Sequence, residues 1–320
     1  MINKKTKPLF SLICIAILVF IISGCSPATP SPHPHMKAPK LPHIEKRDDP
    51  LIGKIFSSKD QKELSAGALT PLMLASDVIY LGEKHDNWDH HQIQIQLIEE
   101  LVAKGKKPTI GIELFSVDQT GYLMAFVFEK SHHGAQSPEK IEKKLRINLG
   151  WDQRPDKMWR NYFSILQVAK KHQLTVFGMD IPAGIIRRMT MSGMGQLTGV
   201  EEMFIHSTGF DDDIYKKFML QQFKEGHCGW SNESLMEKLY GTWLARNDAM
   251  AKTVQSIRAK DSQEPTVVIL GGGHSIYNLA VYDRVAHLIP EVKQLNIGIM
   301  EISVQALELK EYFQTSVIEN

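Results

Sequence analysis

Val78-Ile79-Tyr80-Leu81-Gly82-Glu83-Lys84-His85 begins as an apolar, β-branched run and ends in a glycine turn followed by a histidine. The same order returns far along the chain in Val267-Val268-Ile269-Leu270-Gly271-Gly272-Gly273-His274. Neither run alternates with polar residues, so each reads as a strand buried on both faces, the pattern of a parallel sheet covered by helices. In such sheets sites form beyond the carboxyl ends of the strands, where both histidines fall. The glycines let the backbone turn sharply and bring each histidine back over the sheet edge.

Working outward, Asp89 reads as the N-cap of a helix with apolar positions Ile93, Leu97, Ile98, Leu101 and Val102 and with Gly105 near its end. A second strand is expected from Thr109 to Phe115, then a helical region from Pro138 through Leu174, with Trp159, Phe163, Leu166, Val168 and Ala169 on its packing face. A third strand runs from Thr175 to Met179 and is stopped by Asp180 and Pro182. Residues 184–262 carry no strand pattern and read as helices, the longest from Asn232 to Ala259 with Leu235, Leu239, Trp243, Met250 and Val254. A fourth strand from Thr266 to Leu270, a helix from Tyr277 to Leu288 and a last strand from Leu295 to Ile302 complete the pattern. This alternation predicts an α/β fold: a mostly parallel central sheet with flanking helices, and a helical insertion or cap between the third and fourth strands.

The first fifty residues read differently. Lys4, Lys5 and Lys7 precede an apolar run from Leu9 to Ile22, too short for a confident membrane span, and Ser23-Gly24-Cys25 follows. Ile22-Ser23-Gly24-Cys25 resembles the lipobox of bacterial lipoproteins, which implies a signal peptide over 1–24 and a lipid-modified Cys25. Ser26, in place of an aspartate after that cysteine, favours the outer membrane of the cell envelope. Residues 25–50 are dense in proline and form an expected tether of at most about 70 Å, at ~3.1 Å per residue. His33, His35 and His43 within it read as polar spacers before metal ligands. Residues 51–320 are then one α/β domain. With Cys14 removed and Cys25 acylated, Cys228 alone remains as a thiol, so no disulfide framework is expected. Thirty-seven basic against 36 acidic residues give no basic field for nucleic acid.

The expected strands end in Glu83 and His85, in Glu113, in Asp180 and in His274. Polar residues commonly begin the loops that leave a sheet, so each alone is unremarkable. Together, two imidazoles and these carboxylates suit either a divalent metal such as zinc or manganese, on Glu83, His85, Glu113 and His274, or a general acid/base pair working on water. His90 and His91 are neighbours in the next helix, so at most one faces the same cleft, and Trp88 is a possible wall. The chain has no P-loop and no HExxH, and Tyr277 breaks the pattern of a nucleophile elbow around Ser275. Gly193-Met194-Gly195 follows no strand and has Thr198 where a dinucleotide fingerprint needs its third glycine.

Leu81-Gly82-Glu83-Lys84-His85, His90-His91 with Gln94, Gly111-Ile112-Glu113-Leu114-Phe115 with Gln119, and Gly271 to His274 together resemble the ChaN-like haem-uptake lipoproteins of the Tiki superfamily. Gly150-Trp151, Trp159 to Tyr162, Ala169-Lys170, Asp180-Ile181-Pro182, Arg187 and Arg246-Asn247-Asp248-Ala249-Met250-Ala251 extend the likeness over residues 75 to 285. The resemblance implies a surface lipoprotein of iron acquisition that binds haem, with two haems stacked face to face inside a homodimer and a tyrosine on each iron. It also implies propionate contacts from a histidine and a lysine, and an outer-membrane haem receptor as a further partner. It pins the tyrosine to no one position, so Tyr122, Tyr162, Tyr215 and Tyr240, all in helical regions, stay open as ligands. A phenolate suits ferric haem and a holding or transfer role. Elsewhere in the superfamily the same positions, here His85, Glu113 and His274, resemble those of metal-dependent peptidases, so metal-dependent hydrolysis is the alternative. A third reading is a scaffold that contacts a membrane partner through Met189, Met191 and Met194 of the helical insertion, against which a core role for those methionines is favoured.

Overall fold

A computed structural model describes residues 49–129, 137–210, 212–226, 232–303 and 309–312. The expected signal peptide, Cys25, all but the end of the tether, and Cys228 lie outside the described residues. A small antiparallel hairpin, β1 (Ile55–Ser57) and β2 (Lys62–Leu64), leads to helix α1 (Ala66–Leu74). The central sheet holds β3 (Val78–Glu83), β4 (Thr109–Ser116), β5 (Val176–Asp180), β6 (Thr266–Gly271) and β7 (Gln294–Gly298). Its spatial order is β5-β4-β6-β3-β7, and every pairing is parallel. The two glycine-histidine strands are therefore neighbours, with Val78 opposite Thr266 and Glu83 opposite Gly271.

The apolar runs do what a strand period of two requires. Ile79 and Leu81 of β3, Ile110 and Ile112 of β4, and Val267 and Ile269 of β6 bury against α2 (Trp88–Ala103), α3 (Thr120–Phe128), α4 (Pro138–Asn148) and α5 (Asp156–His172). Val78, Tyr80, Val268 and Leu270 point the other way, onto Met250, Ala251 and Val254 of α9 (Glu233–Lys260) and Val281 and Val285 of α10 (Val281–Leu288). The result is three layers, helices on both faces of one sheet.

The segment expected as an insertion or cap is built from α6 (Ala183–Ser192), α7 (Gly199–Glu202), α8 (Asp213–Gly226) and α9. It is more than a cap. The carboxyl half of α9 forms part of the layer covering the sheet, while α6 and α8 pack on its amino half through Ile185 and Met189 and through Tyr215 and Met219. Helix α2 begins two residues earlier than its sequence suggests: Asn87 is the N-cap, accepting from the Asp89 amide at 2.9 Å and the His90 amide at 3.3 Å, and Asp89 lies in the first turn. The last strand ends at Gly298 rather than Ile302. The β1-β2 hairpin and α1 have no counterpart in the sequence reading, and α3 appears there only as a helical region around Tyr122.

Candidate functional site

Every strand of a parallel sheet ends on the same edge, and the register brings the ends of β3, β4, β5 and β6 together there. Glu83, the last residue of β3, turns its carboxylate into the sheet edge, and His85 follows two residues later. Glu83 Oε1 lies 2.9 Å from His85 Nδ1 and also accepts the Tyr162 hydroxyl. Its Oε2 accepts from Gln94 Nε2 at 2.9 Å and lies 3.3 Å from His91 Nδ1. The His85 carbonyl is held by His91 Nε2 at 3.1 Å and Asn161 Nδ2 at 3.3 Å. Helices α2 and α5 thus fix the loop that carries His85.

Glu113 arrives by a different device. The pairing of β4 with β5 shifts between Ile112 and Ser116, an irregularity that re-aims the strand just where Glu113 sits. Gly178 allows the close approach, because a Cβ there would lie 2.1 Å from the Ser116 carbonyl oxygen. Glu113 Oε2 accepts the Gly271 amide at 2.6 Å, and Oε1 takes Arg246 at 2.8 Å and faces His274 Nε2 at 3.1 Å. Arg246 reaches on to Asp180 Oδ2 at 2.7 Å, while Asp180 Oδ1 accepts the Ile181 amide. His85 Nε2 lies 4.0 Å from Glu113 Oε1, joining the two halves. Gly271 is essential to that join, since any Cβ would meet His85 Nε2 at 2.9 Å.

The charges follow from these contacts. Burial works against the Glu113 carboxylate, yet His274, His85 and Arg246 around it hold its pKa well below the ordinary range. Glu83 is lowered in the same way, chiefly by His85 once burial is overcome. Burial opposes a charge on His85 too, but the bond from Glu83 and the nearby Glu113 raise its pKa. His274 and His91 are pushed down by burial. A neutral His274 donates once. Its Nδ1 lies 2.6 Å from Asn247 Oδ1 and its Nε2 3.1 Å from Glu113 Oε1, both acceptors, so the neutral ring donates to only one of them. Trp243 stacks on the His274 ring at 3.9 Å and passes its indole N–H to Tyr215 at 2.6 Å.

The structure therefore brings Glu83, His85, Glu113, Asp180 and His274 to one edge, as expected. Among the described residues no group of three or more His, Cys, Asp or Glu is disposed to hold a metal ion. The Arg246 guanidinium binds Glu113 and Asp180 directly, and Glu83 is bonded to His85, Tyr162 and Gln94. His90 points away from Glu83, accepting the Lys84 amide at 3.1 Å, and His91 is the member that joins the site. Trp88 is exposed at the start of α2. Trp243, Arg246 and Asn247 share one face of α9 at helical spacing, a sign that a buried polar stripe lies there.

The haem-binding uptake family described as Tiki superfamily, ChaN, matches residues 70–285 in sequence. The chain belongs to that family. A solved structure described as cofacial heme binding to ChaN of Campylobacter jejuni has a TM-score of 0.60 to this one, at 18% identity, over 80% of this chain and 93% of that one. That likeness shows the shared fold. A Bacillus cereus protein also matches, with a TM-score of 0.39 and 16% identity over 76% of this chain and 69% of that one. No curated protein matches the chain in sequence.

Membership in the ChaN family supports haem as the ligand, and the four candidate tyrosines of this ChaN-family chain separate sharply by environment. Tyr162 is fully buried and bonded to Glu83, and burial together with Glu83 pushes its pKa well above 10.0. Tyr215 is buried against Trp243, with its pKa raised to about 12, chiefly by burial. Tyr240 is buried in the same cluster beneath Lys216. These three are not the exposed phenols that the helical pattern left open. Tyr122, on α3, is 48% exposed. Of the methionines, Met189 is buried in the core, the role favoured from the sequence, while Met191 and Met194 are exposed.

Proposed function

We propose that this ChaN-family protein binds ferric haem on the outer face of α3, with Tyr122 as the axial ligand and a second copy of the chain closing the site. The observation that carries the reading is the composition of that face: Gly121, Tyr122, Ala125 and Phe128 are exposed together at helical spacing on a short helix with almost no polar side chain. A helix this apolar is expected to hide its outer face, and a flat, apolar macrocycle facing a second copy of the same surface would do so. Gly121 and Ala125 are small enough to let a ring lie close beside the phenol. Leu123, Phe126 and Val127 anchor the opposite side of the helix in the core, so the phenol is held by a rigid support.

A phenolate oxygen is a hard anionic donor that suits ferric iron, and the haem bound through it is held or passed on rather than poised for oxygen activation. The exposure of Tyr122 lets a ligand approach its phenol. In the sequence, α3 is followed by Lys130, His132 and His133, residue types that pair with propionate carboxylates. The lipobox, the proline-rich tether and Ser26 support a lipid-anchored place at the outer membrane, in the path of haem uptake from a receptor.

The test is a haem titration of the full chain in detergent, read by absorbance and by mass in solution. Saturation near one haem per chain, tyrosinate-to-iron charge-transfer bands and a dimer mass are expected. Tyr122→Phe should lose those bands while Tyr240→Phe keeps them. Identical spectra from the Tyr122→Phe protein and the parent would overturn the assignment.

A further inference from the structure

We propose that the outer side of edge strand β5 carries a separate binding site for a small phosphomonoester with a planar ring, a nucleoside monophosphate being the simplest of that class. The site is an open cavity of about 350 Å³ between β5, the first turn of α3, the carboxyl half of α9 and the loop after α7. Proteins bind small molecules in cavities of this size. Its lining includes neither Tyr122 nor any residue of the strand-end cluster. The charge around it is one-sided. Lys252 and Lys260 come from one side of α9, eight residues apart, with their Cα atoms separated by about 12 Å at ~1.5 Å per residue. His206 lines the cavity from the loop after α7. Among the described residues no carboxylate lines the cavity and neither lysine forms an ion pair. A chain with 37 basic and 36 acidic residues could have paired them, so the local excess belongs to this place and not to the composition. Two ammonium groups facing one cavity without a counter-charge favour an anion between them.

The class of anion follows from the other groups. Thr120 Oγ1 accepts the Gly178 amide at 3.1 Å, which leaves its O–H to donate. The Ser256 hydroxyl donates to the Lys252 carbonyl at 2.9 Å, so its oxygen keeps lone pairs for a ligand donor. With two ammonium groups, an imidazole and the Thr120 hydroxyl, donors prevail, which suits a group that only accepts. A phosphomonoester carries about −1.5 to −2 charge at pH 7 and three strongly accepting oxygens. Lysine binds such a group as a point charge, whereas a carboxylate is best matched by the planar fork of arginine, and no arginine lines this cavity. Phe177 supplies the flat, apolar surface. It follows Val176, whose side chain enters the core on the other face of the sheet, so the Phe177 ring turns toward α9, with Lys260 Nζ 5.8 Å from its centroid. A planar heterocycle would stack on that ring, as nucleobases do on exposed aromatic side chains. Ser256, one turn from each lysine along α9, then accepts from an amino or hydroxyl group of the same ligand.

The experiment is calorimetric titration of the full chain in detergent with adenosine 5′-monophosphate, and with adenosine, inorganic phosphate and glycerol 3-phosphate for comparison. One nucleotide per chain is expected, with an affinity that falls as sodium chloride is raised, and with the three comparison probes each at least about tenfold weaker. Lys252→Gln and Lys260→Gln should each weaken the nucleotide by about tenfold or more, the worth of one charge-assisted hydrogen bond. Ser256→Glu, which sets a carboxylate between the two lysines, should abolish binding, and Lys171→Gln, on α5, should match the parent. Phe177→Leu should weaken the nucleotide and leave inorganic phosphate unchanged. Thermal unfolding confirms that each variant is folded. No saturable binding of the nucleotide, or an affinity unmoved by Lys252→Gln, Lys260→Gln and Ser256→Glu in folded chains, would overturn the site. Glycerol 3-phosphate bound as tightly as the nucleotide would overturn the planar ring. Haem binding through Tyr122 is read by its own titration, so either reading can fail without the other.

Discussion

Glu113 is the residue on which the strand-end site hangs. It receives a backbone amide, a guanidinium and an imidazole while almost wholly buried, so its removal strands three donors at once. Glu113→Ala should therefore destabilise the chain by about 3–5 kcal/mol, the usual cost of breaking a buried ion pair from one side. In a domain of this size that corresponds to a fall in Tm of roughly 10 °C, measurable by thermal unfolding. The sign of its pH dependence is set by the lowered pKa. The stabilisation by the parent carboxylate is complete above the ordinary value of 4.5 and is lost as acid drives the pH down through the folded-state value. The difference in stability between parent and Glu113→Ala should thus be full at pH 7 and shrink on acidification. Glu83, His85 and His274 were legible in the sequence because glycine turns after apolar runs mark strand ends, and Glu113 because it is the one carboxylate in the apolar run from Thr109 to Phe115. Arg246 was not, because a basic residue inside a long helix looks solvated until its partners on two other strands are known.

Helix α3 is the element with most of its function on one face. Its sequence, Thr120 to Phe128, carries no amphipathic period, since both its buried and its exposed sides are apolar. That is why it escaped a reading based on periodicity, and also why its outer face is informative. If two copies meet there around haem, Ala125→Glu places a charge in the seam without touching the inner side of the helix. The variant should remain folded, stay monomeric in the presence of haem and bind it at least tenfold more weakly, as sedimentation and titration would show. A haem-loaded dimer of unchanged mass and affinity would put the seam elsewhere. The long helix α9 teaches the reverse. Its limits were readable to within a residue from Asn232 and its apolar spacing, but one stripe served two packing partners, the sheet at one end and α6 and α8 at the other.

At the scale of the whole molecule, the proline-rich residues 25–50 read as a tether for the domain that follows. The domain offers two chemically distinct regions, a closed polar edge around Glu113 and an open apolar face around Tyr122. No described helix is long and apolar enough to cross a membrane. On the lipobox reading, attachment rests on Cys25. Cys25→Ser should shift the protein from washed membranes to the soluble fraction and abolish fatty-acid labelling while leaving haem titration unchanged.

By itself the sequence determined the class of fold, the edge at which the polar site forms, and the family, because a run of β-branched residues, a glycine turn and a histidine are local signals that need no partner to be read. It also determined the order of strands and helices along the chain. Only the tertiary structure decided the spatial order of the strands, which neighbours fill the space between Glu113 and Asp180, and which of four tyrosines faces solvent. Those depend on contacts between residues far apart in sequence. A guanidinium finds its carboxylates, and a phenol its water or its core, only after the sheet has closed and both of its faces have been covered.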